Sequence, residues 1–241
     1  MEQKIPTGKL YLIPTLLGGD EVDRCVPDYN LKVVRPLRHF IVEELRSARR
    51  FLRKLDHDFP IDDCHFEELN EHTQLLDSKK LLRPVWEGHD IGLLSEAGLP
   101  CVADPGADLV LAAQSLNIRV IPLMGASSIF AALMASGLSG QQFTFHGSLP
   151  NEKSARVHQI RKMEGDSAKN AYAQIFIETP YKNNPLWKLL LETCQRETLL
   201  CVAANITLEN EYIVTKTIGE WKKCSRPDLH KQPALFILQK T

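Results

Sequence analysis

The sequence predicts an α/β protein made of two α/β domains, the first on a mainly parallel sheet and the second on a mixed sheet. Short apolar runs alternate with helix-type patterns through the first half, which is typical of parallel strands joined by crossover helices. In the second half the last apolar runs are less clearly separated by helices, which favours a mixed sheet. The length of 241 residues accommodates two such domains, which we place at 1–122 and 123–241.

The composition is that of an ordinary globular protein, with 44% hydrophobic and 24% charged residues. The 29 Lys and Arg residues nearly balance 30 Asp and Glu residues, so no global field marks a nucleic-acid or membrane binder. Residues 1–6 carry no signal-peptide pattern, and no apolar run reaches the roughly 18 residues of a membrane span. We therefore expect a soluble, cytoplasmic protein without membrane contact. The six cysteines show no zinc-ligand spacing, so no metal is expected.

The first predicted strand spans residues 8–14, where a β-rich apolar run ends at a proline and a Gly-Gly loop follows. Residues 37–55 place apolar side chains on a helical period with Arg and Glu between them, so we predict one amphipathic helix there. A short apolar segment follows at 64–69, and the next helix is predicted at 72–82.

The alternation of strands and helices continues from residue 90. Residues 90–95 form an apolar run that is typical of a buried strand, and a helix is predicted at 107–115. Residues 118–123 predict another strand. A helix rich in small residues begins directly after Gly125 and spans 127–136.

The second half contains five apolar runs of strand type, at 143–146, 173–177, 199–203, 212–217 and 234–238. Helices are predicted between the first three of these runs. The polar stretch 163–170 is typical of a surface loop.

Three loops each join the carboxyl end of a predicted strand to the start of a helix, where open α/β sheets bind ligands. They are residues 14–19, 95–106 and 124–129. Their small residues let the backbone approach a ligand, and exposed N–H and C=O groups can bind a zwitterionic cofactor without a charged side chain. Turn formation alone explains any one of these loops, whereas three on one edge favour a site. Neither a Gly-x-Gly-x-x-Gly nor a Walker A sequence is present.

Two of these loops lie in motifs that resemble the tetrapyrrole-methylase superfamily, namely Leu10–Gly18 and Gly92–Gly106. Within the superfamily the motifs are most similar to those of the small-subunit ribosomal RNA methyltransferase I family. That family's Ser-Asp-Ala-Gly-Thr-Pro pattern, with Asp-Pro-Gly a few residues on, is met here except at Glu96 and Leu99. The resemblance is nearly continuous to Pro150 and looser beyond it.

The resemblance implies an S-adenosyl-L-methionine cofactor, bound folded in a cleft between the two domains. The implied contacts on the first-domain side and at the following helix start are Pro14, Leu17, Ser95, Ala97, Gly98, Leu99, Pro100, Val102, Gly125, Ser127, Ser128 and Ile129. The implied adenine contacts are Thr179, Ala203, Ala204, Pro233 and Ala234. The resemblance also implies a homodimer.

Methyl transfer from a sulfonium is an in-line displacement, so positioning of the acceptor is the main task and no covalent nucleophile is needed. A base that takes the proton of an acceptor hydroxyl would help. By residue type and loop position, the candidates are Glu43, His72, Glu96 and Glu178. His72 could equally cap its helix, and Glu43 could form only an exposed ion pair with Arg46.

Two segments depart from the family pattern. The family's Ala-Arg-Glu-Leu-Thr appears here as Ala203–Thr207, and its Lys-Gly-Glu-Met appears as Lys231–Ala234. The sequence also reaches Thr241 without the family's C-terminal helical extension. Cofactor binding is compatible with these changes, while the acceptor is left open.

Three functions remain open at this point. The first is 2′-O-methylation of a cytidine in small-subunit ribosomal RNA, with that RNA or the small ribosomal subunit as partner. The second is methylation of a tetrapyrrole or of another small-molecule or protein acceptor. The third is a non-catalytic module that binds adenosylmethionine or RNA. A basic cluster on the helix at 37–55, with Arg46, Arg49, Arg50, Arg53 and Lys54, fits phosphate contacts or simply a solvated helix face.

Overall fold

The computed structural model describes residues 7–69 and 79–240. The chain divides into two compact units between Ser127 and Ser128. Among the described helices, none is long and apolar enough to cross a membrane.

The first unit contains a parallel sheet of five strands. They are β1 (Lys9–Ile13), β2 (His39–Val42), β3 (His65–Glu68), β4 (Ile91–Leu94) and β5 (Arg119–Pro122). Their order across the sheet is β3-β2-β4-β1-β5, and every neighbouring pair is parallel. The loops that follow β4, β1 and β5 therefore leave the sheet side by side. The mainly parallel sheet predicted for the first domain is confirmed.

Helices cover this sheet through two separate apolar clusters. They are α1 (Asp28–Val34), α2 (Leu45–Leu55), α3 (Arg83–Trp86) and α4 (Ala107–Ser115), with a short 3-10 turn at Ile61–Asp63. Phe40 and Val42 of β2 pack into the cluster that contains the buried face of α2. Ile41 packs into the cluster that contains α4. This alternation follows from the two-residue period of a strand.

The predicted helix at 37–55 is wrong in its first part, because residues 39–42 form β2. This strand lies between two others and is buried on both faces, so its apolar run fits a helical period as well as a strand. The helix begins at Leu45 because Glu44 caps it, accepting hydrogen bonds from the backbone N–H groups of Arg46 and Ser47 at 2.9 and 2.6 Å. The helix predicted at 72–82 lies largely outside the described residues.

The second unit contains a mixed sheet of five strands. They are β6 (Phe143–Ser148), β7 (Ala173–Ile177), β8 (Leu199–Ala204), β9 (Tyr212–Thr217) and β10 (Ala234–Gln239). The order is β6-β7-β10-β8-β9, with β6 and β7 parallel and the other neighbouring pairs antiparallel. The helices are α5 (Ser128–Ser136), α6 (Lys153–Asn170), α7 (Asn183–Thr193) and α8 (Ile218–Trp221), with a 3-10 turn at Pro180–Lys182. The predicted mixed sheet is confirmed.

The surface loop predicted at 163–170 is wrong, because these residues form the last turns of α6. Two of their polar side chains are buried and hydrogen-bonded. Glu164 accepts from the backbone N–H of Gln195 at 2.7 Å, and Ser167 donates to the carbonyl of Tyr172 at 2.8 Å. Buried polar groups with partners cost little, so polarity alone does not report exposure here.

Candidate functional site

The three loops of small residues meet at the carboxyl edge of the first sheet. The backbone N–H of Thr15, after β1, donates to the carbonyl of Gly98, after β4, at 2.9 Å. The N–H of Leu123, at the end of β5, donates to the carbonyl of Leu12 at 2.9 Å. Asn30, which is 1% exposed, donates from Nδ2 to the carbonyl of Met124 at 2.8 Å and so anchors the third loop. Sequence reasoning missed Asn30, because its partner lies far along the chain.

Two glycines allow these loops to approach one another so closely. A Cβ at Gly125 would lie 2.2 Å from Cβ of Pro14, a separation that no side chain tolerates. A Cβ at Gly98, whose φ is +77°, would lie 3.1 Å from Cδ2 of Leu17. The predicted residues Pro14, Leu17, Gly98 and Gly125 are therefore brought together as one surface.

The loop after β4 presents much of its backbone in unusual conformations. Cys101 and Ala103 have φ values of 67° and 63°, and Gly106 has a φ of 124°. Non-glycine residues at positive φ cost energy and cluster at ligand-binding sites. Burial raises the pKa of the Cys101 thiol to about 11, with the charge of Asp104 adding to the shift, so this cysteine is a poor nucleophile.

The other predicted residues of this loop differ in exposure. Ser95 and Pro100 are buried, Leu99 is half-buried, and Ala97 and Val102 are exposed. Ser127 is the last residue of the first unit, and Ser128 and Ile129 begin α5 in the second. Within the described residues, the hydroxyl of Thr15 is buried without a hydrogen-bond partner, at the place where the three loops meet.

A cluster of three carboxylates, Glu43, Glu96 and Asp104, lies beside these loops. Glu43 follows β2, and its Oε2 accepts a hydrogen bond from the backbone N–H of Glu96 at 3.3 Å. Burial raises the pKa of Glu43. The hydrogen bond from the Glu96 backbone lowers it in part, and the charge of Glu96 raises it further. Burial first, and then the charge of Glu43, raises the pKa of Asp104 to about 6. Asp104 was missed as a candidate base, although it stands in the Asp-Pro-Gly motif directly before α4.

Replacing Asp104 with asparagine is expected to stabilise the chain at neutral pH. Because the folded pKa of Asp104 lies above its ordinary value, the wild type loses stability as the pH rises from about 4 to about 6. The variant carries no such charge, so its free energy of unfolding should exceed that of the wild type by about 1 kcal/mol at pH 7.5, allowing for solvent screening of this half-exposed group. Urea unfolding at pH 4 and 7.5 measures the difference, which should vanish at pH 4. An equal difference at both pH values would contradict the assignment.

Of the two remaining predicted bases, the structure describes only Glu178. His72 lies outside the described residues. Glu178 is in the second unit, at the end of β7, and forms an ion pair with Arg156 at 2.9 Å. The side chains of Glu178 and Arg156 are 3% and 9% exposed. Glu178 also accepts from the backbone N–H of Thr179 at 2.8 Å, and Arg156 donates to the carbonyl of Pro150 at 2.6 Å, so both charged groups are held in place.

The predicted adenine contacts gather at one edge of the second sheet. Ala234 of β10 pairs with Ala204 of β8, and the next residue of β10 pairs with Ile177 of β7, just before Glu178 and Thr179. Thr179 and Pro233 are exposed, whereas Ala203 and Ala204 are buried within β8. Because Ala203, Ala204 and Ala234 have no polar side-chain atoms, the backbone supplies most of the polar groups at this edge.

The two segments that depart from the family pattern contact each other at this edge. The backbone N–H of Asn205 donates to the carbonyl of Pro233 at 3.0 Å, and its side-chain Nδ2 donates to Oε1 of Gln232 at 2.5 Å. Asn205 has a φ of 53°, which asparagine adopts more readily than most residues. Asn205 stands where the family pattern has Glu and Gln232 where it has Gly, and here the two side chains form an amide pair.

We expect this amide pair to be energetically coupled. Asn205→Gly and Gln232→Ala should each lower the free energy of unfolding by about 1 kcal/mol, and the double variant should lose about 1 kcal/mol less than the sum. Glycine is chosen at position 205 because it keeps the positive φ. Urea unfolding of the four chains gives the cycle. Asn170→Ala combined with Gln232→Ala is the matched control and should be additive; additivity in the Asn205 cycle would contradict the coupling.

The sequence profile of the family described as Tetrapyrrole (Corrin/Porphyrin) Methylases matches residues 24–222. The chain belongs to the tetrapyrrole methylase family. The match extends over most of both units, and it includes two of the three converging loops, those after β4 and β5. Tetrapyrrole methylases are methyltransferases, and the chain is therefore assigned to that class of enzyme.

Relatives of this tetrapyrrole methylase bear the name ribosomal RNA small subunit methyltransferase I. The protein of that name from Halalkalibacterium halodurans is 31% identical over 212 residues, which are 86% of this chain and 68% of the relative. The one from Pseudomonas aeruginosa is 30% identical over 175 residues, which are 73% of this chain and 58% of the relative. The chain thus spans between about half and two thirds of the length of several such relatives.

Solved methyltransferase structures share the fold. The methyltransferase CobJ has a TM-score of 0.63 at 15% identity, covering 97% of this chain and 95% of that structure. The uroporphyrin-III-C-methyltransferase from Thermus thermophilus has a TM-score of 0.54 at 19% identity, covering 97% and 94%. At such low identity the likeness establishes the fold alone.

Proposed function

We propose that this chain uses S-adenosyl-L-methionine to methylate the ribose 2′-hydroxyl of a cytidine in small-subunit ribosomal RNA. The observation that carries the proposal is the convergence of three glycine-bearing loops at the carboxyl edge of the first sheet, in a chain whose relatives are named for small-subunit ribosomal RNA. In parallel α/β sheets this edge is where ligands bind.

The residues at this edge suit a cofactor that carries both an amino-acid zwitterion and a positively charged sulfur. The loops around Pro14, Gly98 and Gly125 offer backbone N–H and C=O groups, and Thr15 offers a buried hydroxyl without a partner among the described residues. When bound, the cofactor supplies an electrophilic methyl group on a positively charged sulfur. The carboxylate cluster of Glu43, Glu96 and Asp104 gives the neighbouring surface the opposite charge.

The carboxylate cluster also supplies the base that the acceptor hydroxyl requires. We assign the base to Asp104, because its pKa of about 6 leaves it ionised at neutral pH while making it more basic than an ordinary aspartate. Burial chiefly keeps that pKa raised, and the charges of Glu43 and Glu96 add to the shift. Glu178 has a different role in this proposal, since its carboxylate is already paired with a buried guanidinium.

The pH dependence of methylation tests the assignment of the base. The rate at saturating substrate should rise with pH and level off above about pH 6, because only ionised Asp104 accepts a proton. Asp104→Asn should remove this dependence and lower the rate at pH 7.5 by about 100-fold or more, within the range of general-base catalysis. Cofactor affinity, measured by calorimetry, should fall far less than the rate, because Glu43 and Glu96 keep the neighbouring surface acidic. An unchanged rate in the variant would reassign the base.

The proposed function itself is tested with labelled cofactor and small ribosomal subunits from a strain that lacks the modification. Calorimetric titration should first show binding of S-adenosyl-L-methionine and of its demethylated product. Label should then appear at one ribose of the small-subunit RNA, which alkaline cleavage maps because a 2′-O-methyl group blocks it. Cofactor binding without label in the RNA would overturn ribosomal RNA as the acceptor. Absence of cofactor binding would overturn the cofactor assignment.

A further inference from the structure

Helix α2 carries four arginines along one face. Arg46, Arg49, Arg50 and Arg53 follow the i, i+3, i+4, i+7 spacing that aligns side chains on a helix, and all four are exposed. The residues of the opposite face, Ala48, Phe51, Leu52 and Leu55, are buried in the core. The stripe spans about 10 Å along the helix axis. The core of the first unit uses the apolar face of α2, whereas the arginine face stays exposed and makes only a few surface contacts.

The four arginines line an open groove of about 670 Å³. The opposite wall comes from the 3-10 turn and from the end of β3, with Ile61, Asp62 and Glu68. Glu44 also lines the groove, but its carboxylate is occupied as the cap of α2. A groove of this size is large enough for segments of a polymer, and its guanidinium groups suit phosphate oxygens geometrically.

The arginines are only weakly neutralised within the chain. Arg49 lies 3.7 Å from Asp62, whose side chain is 93% exposed, and such exposed pairs contribute little. Arg53 donates to the backbone carbonyl of His57 at 2.7 Å, which leaves its charge uncompensated. Arg46 and Arg50 form no ion pair with any described residue. By contrast, exposed bases outside this face, such as Lys54 of the same helix and Arg83, pair with carboxylates at 2.5 and 3.1 Å.

The groove begins at the carboxylate cluster. Glu43 belongs to that cluster, Glu44 caps α2, and Arg46 is in the first turn of the helix. The hydroxyl of Ser47 lies 3.5 Å from Oε1 of Glu96, which joins the start of the helix to the loop after β4. A strand that lies along the arginine face therefore leads toward the carboxylate cluster.

We propose that the arginine face of α2 binds the phosphodiester backbone of the RNA substrate beside the target nucleotide. This inference rests on the proposed function, since it names the surface that presents the RNA to that site. Phosphate contacts fix the position of a nucleic acid without reading its sequence, so this surface orients the strand and leaves selection of the base to other groups.

The test replaces all four arginines with glutamine in the full chain. A matched control replaces four exposed bases elsewhere, Arg83, Lys188, Arg196 and Lys223, so both variants lose the same positive charge. Filter binding measures affinity for a small-subunit ribosomal RNA fragment at several potassium chloride concentrations. The α2 variant should bind at least about tenfold more weakly, with a salt slope shallower by about 3, because each lost phosphate contact removes about 0.7–0.9 from the slope. The control should bind as the wild type does.

Further measurements separate the possible failures. Calorimetry should show unchanged cofactor affinity in the α2 variant, which establishes that the site is folded. If the wild type methylates small subunits and the α2 variant binds RNA and methylates equally well, the inference is wrong and the proposed function stands. If the wild type methylates no RNA but the α2 variant still loses RNA affinity, the surface stands and the function is wrong. An equal loss of RNA affinity in the control variant would show a nonspecific charge effect and overturn the inference. Binding of polyglutamate by the wild type as tightly as the RNA fragment would do the same.

Discussion

Gly125→Ala is expected to weaken binding of S-adenosyl-L-methionine and to slow methylation, each by about 100-fold. The new Cβ would lie 2.2 Å from Cβ and 2.7 Å from Cγ of Pro14. The proline ring is rigid and its φ is fixed, so relief requires one loop to move by about 1 Å. A displacement of that size at a positioned site costs about 100-fold in rate. Calorimetry and the rate of label transfer to small subunits measure the two effects.

The control for this variant is Gly140→Ala, since a Cβ at Gly140 meets nothing within 4 Å. It should bind and methylate as the wild type does. Pro14→Gly removes the ring atoms that the new methyl group would strike, so adding it to Gly125→Ala should restore part of the lost affinity. Affinity within about threefold of the wild type in the single Gly125→Ala variant would show that the close approach of these loops is not required.

The position of the candidate site was predictable from sequence because a parallel sheet collects the ends of its strands at one edge. The loops at 14–19, 95–106 and 124–129 were identified on that basis. The hydrogen bond between Thr15 and Gly98 and the contact of Gly125 with Pro14 show that the loops meet. The order β4-β1-β5, which makes them neighbours, depends on how crossover connections pack and carries no local signal.

The errors in the fold arise where burial and local pattern disagree. Phe40, Ile41 and Val42 place apolar side chains on both faces of an interior strand, so they fit a helical period. Only the cap at Glu44 marks the true start of α2. Residues 163–170 are polar yet partly buried, because Glu164 and Ser167 find their partners far along the chain. In both segments the deciding contact is long-range, and a sequence window does not contain it.

The chemistry of the carboxylates was also hidden from the sequence. Glu43, Glu96, Asp104 and Glu178 are all acidic residues near strand ends, and residue type alone ranks them equally. The structure separates them by surroundings. The first three share a half-buried cluster that raises the pKa of Asp104 and of Glu43, whereas Glu178 lies against a guanidinium. A base needs access to the acceptor, and a carboxylate held in a buried ion pair lacks that access.

Arg156→Met is expected to lower the free energy of unfolding of the second unit by about 3–5 kcal/mol, because it leaves the Glu178 carboxylate buried without its partner. The melting temperature of that unit should fall by about 10 °C or more. Replacing both residues, in Arg156→Met with Glu178→Leu, should recover most of the lost free energy of unfolding, since the pair is then exchanged for apolar contacts.

The double variant also tests the role of Glu178 in methylation. If Glu178 acts only through the fold, the double variant should methylate small subunits within about tenfold of the wild-type rate, measured well below its melting temperature. A fully folded double variant without activity would instead place Glu178 or Arg156 in the catalytic machinery.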